Sequence, residues 1–247
     1  MEMNICIFDS GEQLDEAGAE TICGFIRANP KAVLGLATGE TPLGIYRILV
    51  RKFREGLISF RQVTTFNLDE YVNLPEDHPE SYHTYMRRHL FDHIDLPPSR
   101  AHLPRGNAAD LAAECRRYDT LIEEAGGIDL QILGIGHNGH IGFNEPGPGL
   151  VSGTHVVRLA PETRRANARF FGGFDEVPEM AVTMGVGTIL KAGLILLIAK
   201  GEDKAEIVHR ALKGPITTEC PASLLQAHPR LIVLLDRAAA GNIRTAG

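Results

Sequence analysis

Apolar residues in this chain gather in short continuous runs instead of alternating with polar residues. The runs that predict strands lie at residues 4–8, 32–37, 63–67, 129–136, 194–199 and 230–236. A strand with one face in water alternates between apolar and polar residues, whereas a strand covered on both faces is apolar throughout, as in parallel sheets. The pattern therefore predicts a buried, mostly parallel sheet.

Segments with helical spacing lie between these strands, at about residues 11–28, 42–53, 81–93, 110–125 and 202–213. The alternation of strands and helices predicts an α/β fold, an open doubly wound and mostly parallel sheet with helices on both faces. We expect residues 1–247 to form a single domain, with additional structure around residues 145–180. In such sheets ligands bind beyond the carboxyl ends of the strands.

Charge and composition exclude several classes of protein. The chain has 25 lysines and arginines against 31 aspartates and glutamates, a net charge of -6, so we expect no nucleic-acid partner. The longest apolar run, at 194–199, is too short to cross a bilayer, so we expect no membrane partner. Residues 1–4 lack the basic start of an export signal. These features predict a cytoplasmic location.

Cysteines and histidines favour neither a disulfide framework nor a metal site. No two of the cysteines form a CxxC pair, which favours buried thiols at Cys6, Cys23, Cys115 and Cys220. His89 and His93 are four residues apart and would share a helix face, but the glutamate of a zinc-binding HExxH motif is missing. An ordinary helix surface is the simpler interpretation of this pair.

The first strand-end loop has the features of a phosphate-binding turn. Thr38, Gly39, Glu40 and Thr41 follow the strand at 32–37, and Pro42 suits the first turn of the next helix. Thr41 can cap that helix, and free backbone N–H groups at a helix N-terminus attract phosphate. A GxxxxGK[ST] pattern is absent, so a nucleotide site of that kind is excluded. A well-capped turn without a ligand is the alternative.

A pair of carboxylates follows the next strand. Asp69 and Glu70 come directly after the strand at 63–67, and adjacent residues of an extended chain point in opposite directions. We therefore expect only one of them to enter a cleft. A carboxylate there can act as a general base, and the alternative is a solvated loop charge.

The third loop, at residues 134–149, presents a histidine and a carboxylate. Its glycines match GxGxxG formally, but the prolines and glycines after Asn144 prevent the helix that a dinucleotide site requires. Glu145 can orient and charge-stabilise the imidazole of His140. His137 and His140 could instead bind a metal, but no further ligand lies in a convincing position.

These loops, in this order, resemble the glucosamine-6-phosphate deaminase (isomerase) family. The resemblance covers nearly the whole chain and depends on GLATGETPLGIYR, FNLDEYVNLPEDHPESY, GIGHNGHIGFNEPG, TRRANARFF, MAVTMGVGTIL and LQAHPRLIVLLD. It implies conversion of glucosamine 6-phosphate and water to fructose 6-phosphate and ammonia, without a metal or an organic cofactor. An amino-sugar phosphate would be the small-molecule partner, and the resemblance leaves a homo-oligomer open.

The resemblance also implies roles for individual residues. Asp69 would move a proton from carbon 2 to carbon 1 of the substrate, His140 would assist ring opening, and Glu145 would orient His140. The loop from Thr38 to Thr41, together with Arg169 and Lys204, would hold the phosphate. Arg165 lies one helical turn before Arg169, so the two could share a face.

Asn138 departs from the usual family pattern, because many members have aspartate at this position. Asparagine cannot accept a proton or supply a negative charge. Polarisation of His140 would then depend on Glu145 or on the amide oxygen of Asn138. Asparagine also occurs in members of this family, so we do not interpret it as a loss of activity.

Three alternative functions agree with the sequence to different degrees. A galactosamine-6-phosphate deaminase differs only in the epimer at carbon 4, and no motif reads that hydroxyl. A 6-phosphogluconolactonase shares the fold, but its loop usually ends in a Ser-Leu-Phe-Pro-like run instead of FNEP. A sugar-phosphate sensor would need a DNA-binding module, for which we expect no room before the first strand.

Overall fold

A parallel sheet of seven strands forms the centre of the fold, and all its neighbouring strands are parallel. The computed structural model describes residues 3–243. Residues 1 and 2, which belong to the segment expected to lack an export signal, therefore lie outside the described residues. The strand order is β1 (Asn4–Phe8), β10 (Leu231–Asp236), β9 (Leu194–Ala199), β6 (Leu130–Leu133), β2 (Val33–Leu36), β3 (Thr64–Asn67) and β5 (Ala101–His102). The predicted fold class is confirmed.

Helices cover both faces of this sheet. They are α1 (Gly11–Ala28), α2 (Leu43–Arg54), α3 (Tyr82–His89), α4 (Leu111–Glu124), α5 (Pro161–Asn167), α6 (Val186–Leu190) and α7 (Ala205–Lys213). Leu34 and Leu36 of β2 pack in one core with α1 and α2, whereas Val33 packs in a second core with α4 and α7. Strand β2 therefore buries both of its faces, which explains its continuous apolar sequence.

The start of α2 differs from the sequence expectation. Pro42 already has helical backbone angles, φ -85° and ψ -6°, and no side chain caps the helix. The expectation that Thr41 caps it was therefore wrong, because Thr41 lies one residue too early. Its side chain lies beside Gly134 instead.

The helix predicted over 81–93 is also shorter than expected. It ends at His89, because Leu90 leaves the helical region with φ -143°, and His93 belongs to a separate 3-10 turn, Phe91–His93. His89 and His93 therefore do not share one continuous helix face. A similar split separates the 3-10 turn Glu202–Lys204 from α7.

A second, antiparallel sheet lies beyond the carboxyl ends of the parallel strands. It consists of β4 (Asp69–Tyr71), β8 (Met180–Thr183) and β7 (His155–Arg158), in that order. The sequence indicated only additional structure around residues 145–180. It did not predict these strands, because β4 has three residues and β7 is only partly buried.

Leu68 joins the two sheets. Its N–H donates to the carbonyl of Leu36 in β2 at 3.1 Å, and its carbonyl accepts from the N–H of Met184 at 2.7 Å. The chain therefore passes directly from the parallel sheet at Asn67 into β4 at Asp69. None of the helices within residues 3–243 has the length and apolar character that a bilayer span needs.

Replacement of Gly106 by alanine should destabilise the fold, because a Cβ there would overlap the carbonyl oxygen of Tyr71 in β4. Overpacking of this kind costs about 1–3 kcal/mol. The control is Gly24→Ala in α1, where a Cβ meets nothing within 4 Å, so a gain of about 0.5–1 kcal/mol is expected. Urea unfolding of the two variants measures both changes, and equal stability would contradict the crowding at Gly106.

Candidate active site

A cavity of about 420 Å³ opens at the carboxyl ends of the parallel strands. It brings together residues from all three of the predicted strand-end loops and from two later segments. Sequence-predicted residues on its wall are Thr38, Gly39, Glu40, Thr41, Asp69, Asn138, His140, Arg169 and Lys204. Glu145 is not part of the wall and lies directly behind His140. The position of this cavity agrees with the expectation for an open α/β sheet.

Asp69 is the buried carboxylate of this cavity. It begins β4, immediately after Leu68, and its side chain makes no hydrogen bond to another residue in the described range 3–243. Burial, together with the charge of Glu70, raises the pKa of Asp69 to about 8. The carboxyl group is therefore close to half-ionised in mildly alkaline solution, where a group can both accept and return a proton.

Glu70 points away from the cavity, as the alternation along a strand predicts. Its carboxylate accepts hydrogen bonds from the backbone N–H groups of Tyr71, Tyr82 and His83 at 2.8, 3.1 and 3.0 Å. The Nδ1 atom of His83 adds a contact at 2.8 Å. Glu70 thus neutralises the N-terminus of α3 and anchors that helix to β4.

His140 is oriented by Asn138 and Glu145 together. The Nδ1 atom of His140 lies 2.8 Å from the amide oxygen of Asn138, whose Nδ2 donates to Glu145 at 2.7 Å. Since the amide nitrogen must face the carboxylate, the amide oxygen must accept from Nδ1, and this assigns the proton of a neutral His140 to Nδ1. The Nε2 atom then carries the lone pair.

The Glu145 carboxylate stays ionised. Burial alone would raise its pKa, but the nearby imidazole of His140 and hydrogen bonds from Thr163 and Asn138 outweigh burial and lower the pKa to about 2. Its oxygen lies 3.5 Å from Nδ1 of His140. Both routes that the sequence left open for polarising His140 are therefore present, with the amide oxygen in direct contact and the carboxylate behind it.

Gly136 makes room for the imidazole of His140. A Cβ at this position would overlap the Cε1 and Nε2 atoms of the ring. The loop at 134–149 leads into β7 instead of a helix, so its glycines do not form the dinucleotide site that GxGxxG could indicate.

Lys204 and Arg169 supply positive charge on the cavity wall. Lys204 ends the 3-10 turn after β9 and donates to the carbonyl of Ile135 at 3.0 Å. Burial, and also the charge of Arg169, lower the pKa of Lys204. Arg169 donates to the carboxylate of Glu40 at 2.8 Å, in a pair whose side chains are 60% and 59% exposed. A bound anion could therefore replace Glu40 as the partner of Arg169.

Arg165 does not join this pair of cations. Helix α5 ends at Asn167, so Arg165 and Arg169 belong to different elements, and Arg165 pairs with Glu162 at 3.4 Å. The expectation that the two arginines share a face is not met.

The structure adds residues that sequence reasoning missed. Tyr82 and Asn167 line the cavity, and the hydroxyl of Thr163 donates to Glu145 at 2.6 Å. These residues lie inside the HPESY and TRRANARFF motifs on which the family resemblance depends. Their side chains are uncharged, so sequence reasoning did not single them out as site residues.

The histidines do not gather into a metal centre within residues 3–243, where no group of three or more His, Cys, Asp or Glu side chains could hold an ion. His137 faces Asp203 at 2.7 Å, whereas His140 faces Asn138. The two histidines of this loop thus have separate partners.

The family model described as glucosamine-6-phosphate isomerases/6-phosphogluconolactonase matches residues 9–233. The chain belongs to this family. It is 54% identical over 239 residues to a glucosamine-6-phosphate deaminase of Bacillus velezensis, covering 97% of this chain and 99% of that protein. It is 52% identical over 226 residues to a glucosamine-6-phosphate deaminase of a Geobacillus species, covering 92% and 90% of the two chains.

Solved structures agree at the level of the fold and, in one case, of the sequence. A structure described as a monomeric glucosamine-6-phosphate deaminase superposes with a TM-score of 0.95 at 50% identity, covering 97% of this chain and all of that one. A 6-phosphogluconolactonase from Trypanosoma cruzi has a TM-score of 0.81 at 20% identity, covering 99% and 98%. The second likeness shows a shared fold alone.

The raised pKa of Asp69 predicts a pH-dependent stability. The folded protein keeps the proton of Asp69 up to about pH 8, whereas the unfolded chain loses it near pH 4. Because the folded state binds more protons between these values, its stability falls as the pH rises, by up to about 1.4 kcal/mol per pH unit. The Asp69→Asn variant has no ionisable group at this position, so it should not lose stability in this way as the pH rises.

The measurement is urea unfolding of wild type and Asp69→Asn between pH 5 and pH 9. The stability advantage of the variant should grow with pH and level off above about pH 8. Asp92→Asn, at an exposed position, is the control and should show no such trend. An advantage of Asp69→Asn that does not change with pH would contradict the burial of an ionisable group.

Proposed function

We propose that this protein is a glucosamine-6-phosphate deaminase, which converts glucosamine 6-phosphate and water to fructose 6-phosphate and ammonia. One observation carries the proposal: a single cavity contains a buried carboxylate with a pKa of about 8, an oriented imidazole and two cations. Relatives at 52% and 54% identity over almost the whole chain support it.

The phosphate group would bind where the positive charges meet the first loop. Arg169 and Lys204 can donate charge-assisted hydrogen bonds to phosphate oxygens. Residues 38–41 precede the N-terminus of α2, where the helix dipole favours a negative charge. The carboxylate of Glu40 must release Arg169 for this contact, so Glu40 competes with the phosphate.

His140 would open the pyranose ring. Its Nε2 lone pair can accept the proton of the carbon 1 hydroxyl and return it to the ring oxygen as the carbon–oxygen bond breaks. The resulting imidazolium is stabilised by the ionised Glu145 at 3.5 Å, while Asn138 holds the ring in place.

Asp69 would then carry out the isomerisation. The ionised carboxylate takes the proton from carbon 2 and delivers it to carbon 1. An ammonium group on carbon 2 of the bound substrate favours the ionised form of Asp69, because an opposite charge lowers the pKa of a carboxyl group. Binding of the amino sugar would thus generate the base that the reaction needs.

The test is an ammonia-release assay with glucosamine 6-phosphate and galactosamine 6-phosphate, in the presence of excess chelator. We expect turnover of glucosamine 6-phosphate and a loss of about 10²–10⁴-fold in Asp69→Asn, the usual contribution of a positioned base. Asp92→Asn is again the control. Ammonia from galactosamine 6-phosphate alone would transfer the assignment to the other epimer, and ammonia from neither would reject a deaminase.

Residues of the phosphate site should change KM in opposite directions. Lys204→Ala removes a charge-assisted hydrogen bond of about 1.5–3 kcal/mol, which corresponds to roughly a 10- to 150-fold rise in KM. Glu40→Gln frees Arg169 from an exposed ion pair worth about 0–1 kcal/mol, so KM should fall by up to about fivefold.

The matched control for Glu40→Gln is Glu179→Gln, which breaks a similarly exposed pair with Arg158 at 2.7 Å. Neither Glu179 nor Arg158 lines the cavity, so KM should not change. A rise in KM for Glu40→Gln would show that this carboxylate supports phosphate binding instead of competing with it.

A further inference from the structure

A second concave surface lies between α2 and α3, and its wall is strongly basic. We call it the basic groove. It encloses about 690 Å³ over an apolar floor of Leu43 and Val50, and Glu55 is its only acidic residue within the described part of the chain. Its polar wall consists of Arg47, Arg51, Arg54, Arg88, His89 and His93.

Most of the arginines in the basic groove have no protein counter-charge. Arg51 pairs with Glu16 at 2.9 Å and lies 4.0 Å from Glu55. Arg47, Arg54 and Arg88 make no ion pair and no side-chain hydrogen bond to any residue in the range 3–243. Their exposed guanidinium groups make a local concentration of positive charge on a chain of net charge -6, and such a concentration attracts anions.

The positive charges of the basic groove also act on His89. Burial lowers its pKa, and the charges of Arg88 and His93 lower it further. The dipoles of α2 and α3 favour cations at their C-terminal ends. These dipoles do not explain the position of Arg47, which lies nearer the start of α2. They also do not explain why basic residues of both helices face the same groove.

The spacing of the arginines suits an extended anion. Arg47, Arg51 and Arg54 follow the i, i+4, i+7 positions of one helix face, which spans about 10 Å along the axis. Each guanidinium presents a planar fork that matches the oxygens of a phosphoryl group. A single phosphate could contact only part of this row, whereas a chain of linked phosphoryl groups could contact all of it.

We propose that the basic groove binds an oligophosphate anion, such as a linear polyphosphate or a nucleoside triphosphate. This site is separate from the catalytic cavity, with which it shares no lining residue. Leu43, Arg88 and His89 also line an intervening aromatic cavity of about 380 Å³ that reaches Glu40 and Arg169. An occupant of the groove would therefore lie beside the entrance of the catalytic cavity.

The experiment is isothermal titration calorimetry of the whole protein at low salt with tripolyphosphate, ATP and long-chain polyphosphate. Wild type should bind tripolyphosphate saturably, and the double variant Arg47→Gln/Arg54→Gln and the single variant Arg88→Gln should each weaken binding about tenfold or more. Equal affinity for ATP and tripolyphosphate would show that the groove recognises the phosphate chain. Tighter binding of ATP would show an additional contact between the groove and the base.

The controls separate this site from the catalytic cavity. Arg230→Gln, an exposed arginine at the amino end of β10, should leave binding unchanged. Lys204→Ala should weaken substrate binding but leave tripolyphosphate binding intact, and Arg47→Gln/Arg54→Gln should release ammonia like wild type when no oligophosphate is present. The proposal is overturned if no saturable binding occurs, if the groove variants bind like wild type, or if Lys204→Ala abolishes binding.

Discussion

The backbone of a single residue, Leu68, ties the site to the fold. Its N–H belongs to the hydrogen-bond pattern of the parallel sheet, and its carbonyl belongs to that of the small antiparallel sheet. Asp69 follows at once, so its buried carboxyl group is fixed at the junction of the two sheets, on the wall of the cavity. Burial at this junction, together with the charge of the neighbouring Glu70, raises the pKa of Asp69, so the unusual pKa follows from where the topology places the residue.

The site separates its carboxylates by environment. Asp69 is buried without hydrogen-bond donors and holds its proton, whereas Glu145 is surrounded by donors and gives its proton up. Glu70, next to Asp69 in sequence, serves the N-terminus of α3 instead. Identical functional groups therefore take different roles, since burial and hydrogen bonding set the free energy of ionisation separately at each position.

Continuous apolar runs predicted six of the seven parallel strands, including the edge strand β1, whose observed bounds are those expected. The strands β2, β6 and β9 are buried at every position, so their apolar runs leave little ambiguity. The two-residue β5 and the partly exposed β7 lack such a run. The same reasoning found charged residues at strand ends, but it could not find Thr163, whose contact with Glu145 depends on tertiary packing across 18 residues of sequence.

The amide of Asn138 has a consequence for the path of protons. An amide oxygen accepts a hydrogen bond but does not become protonated at ordinary pH, so Asn138 cannot relay a proton from Nδ1 of His140 to Glu145. Proton exchange is confined to the opposite side of the ring, at Nε2. A proton that binds the imidazole at Nε2 therefore leaves from that same side of the ring, because the amide at Nδ1 offers no relay.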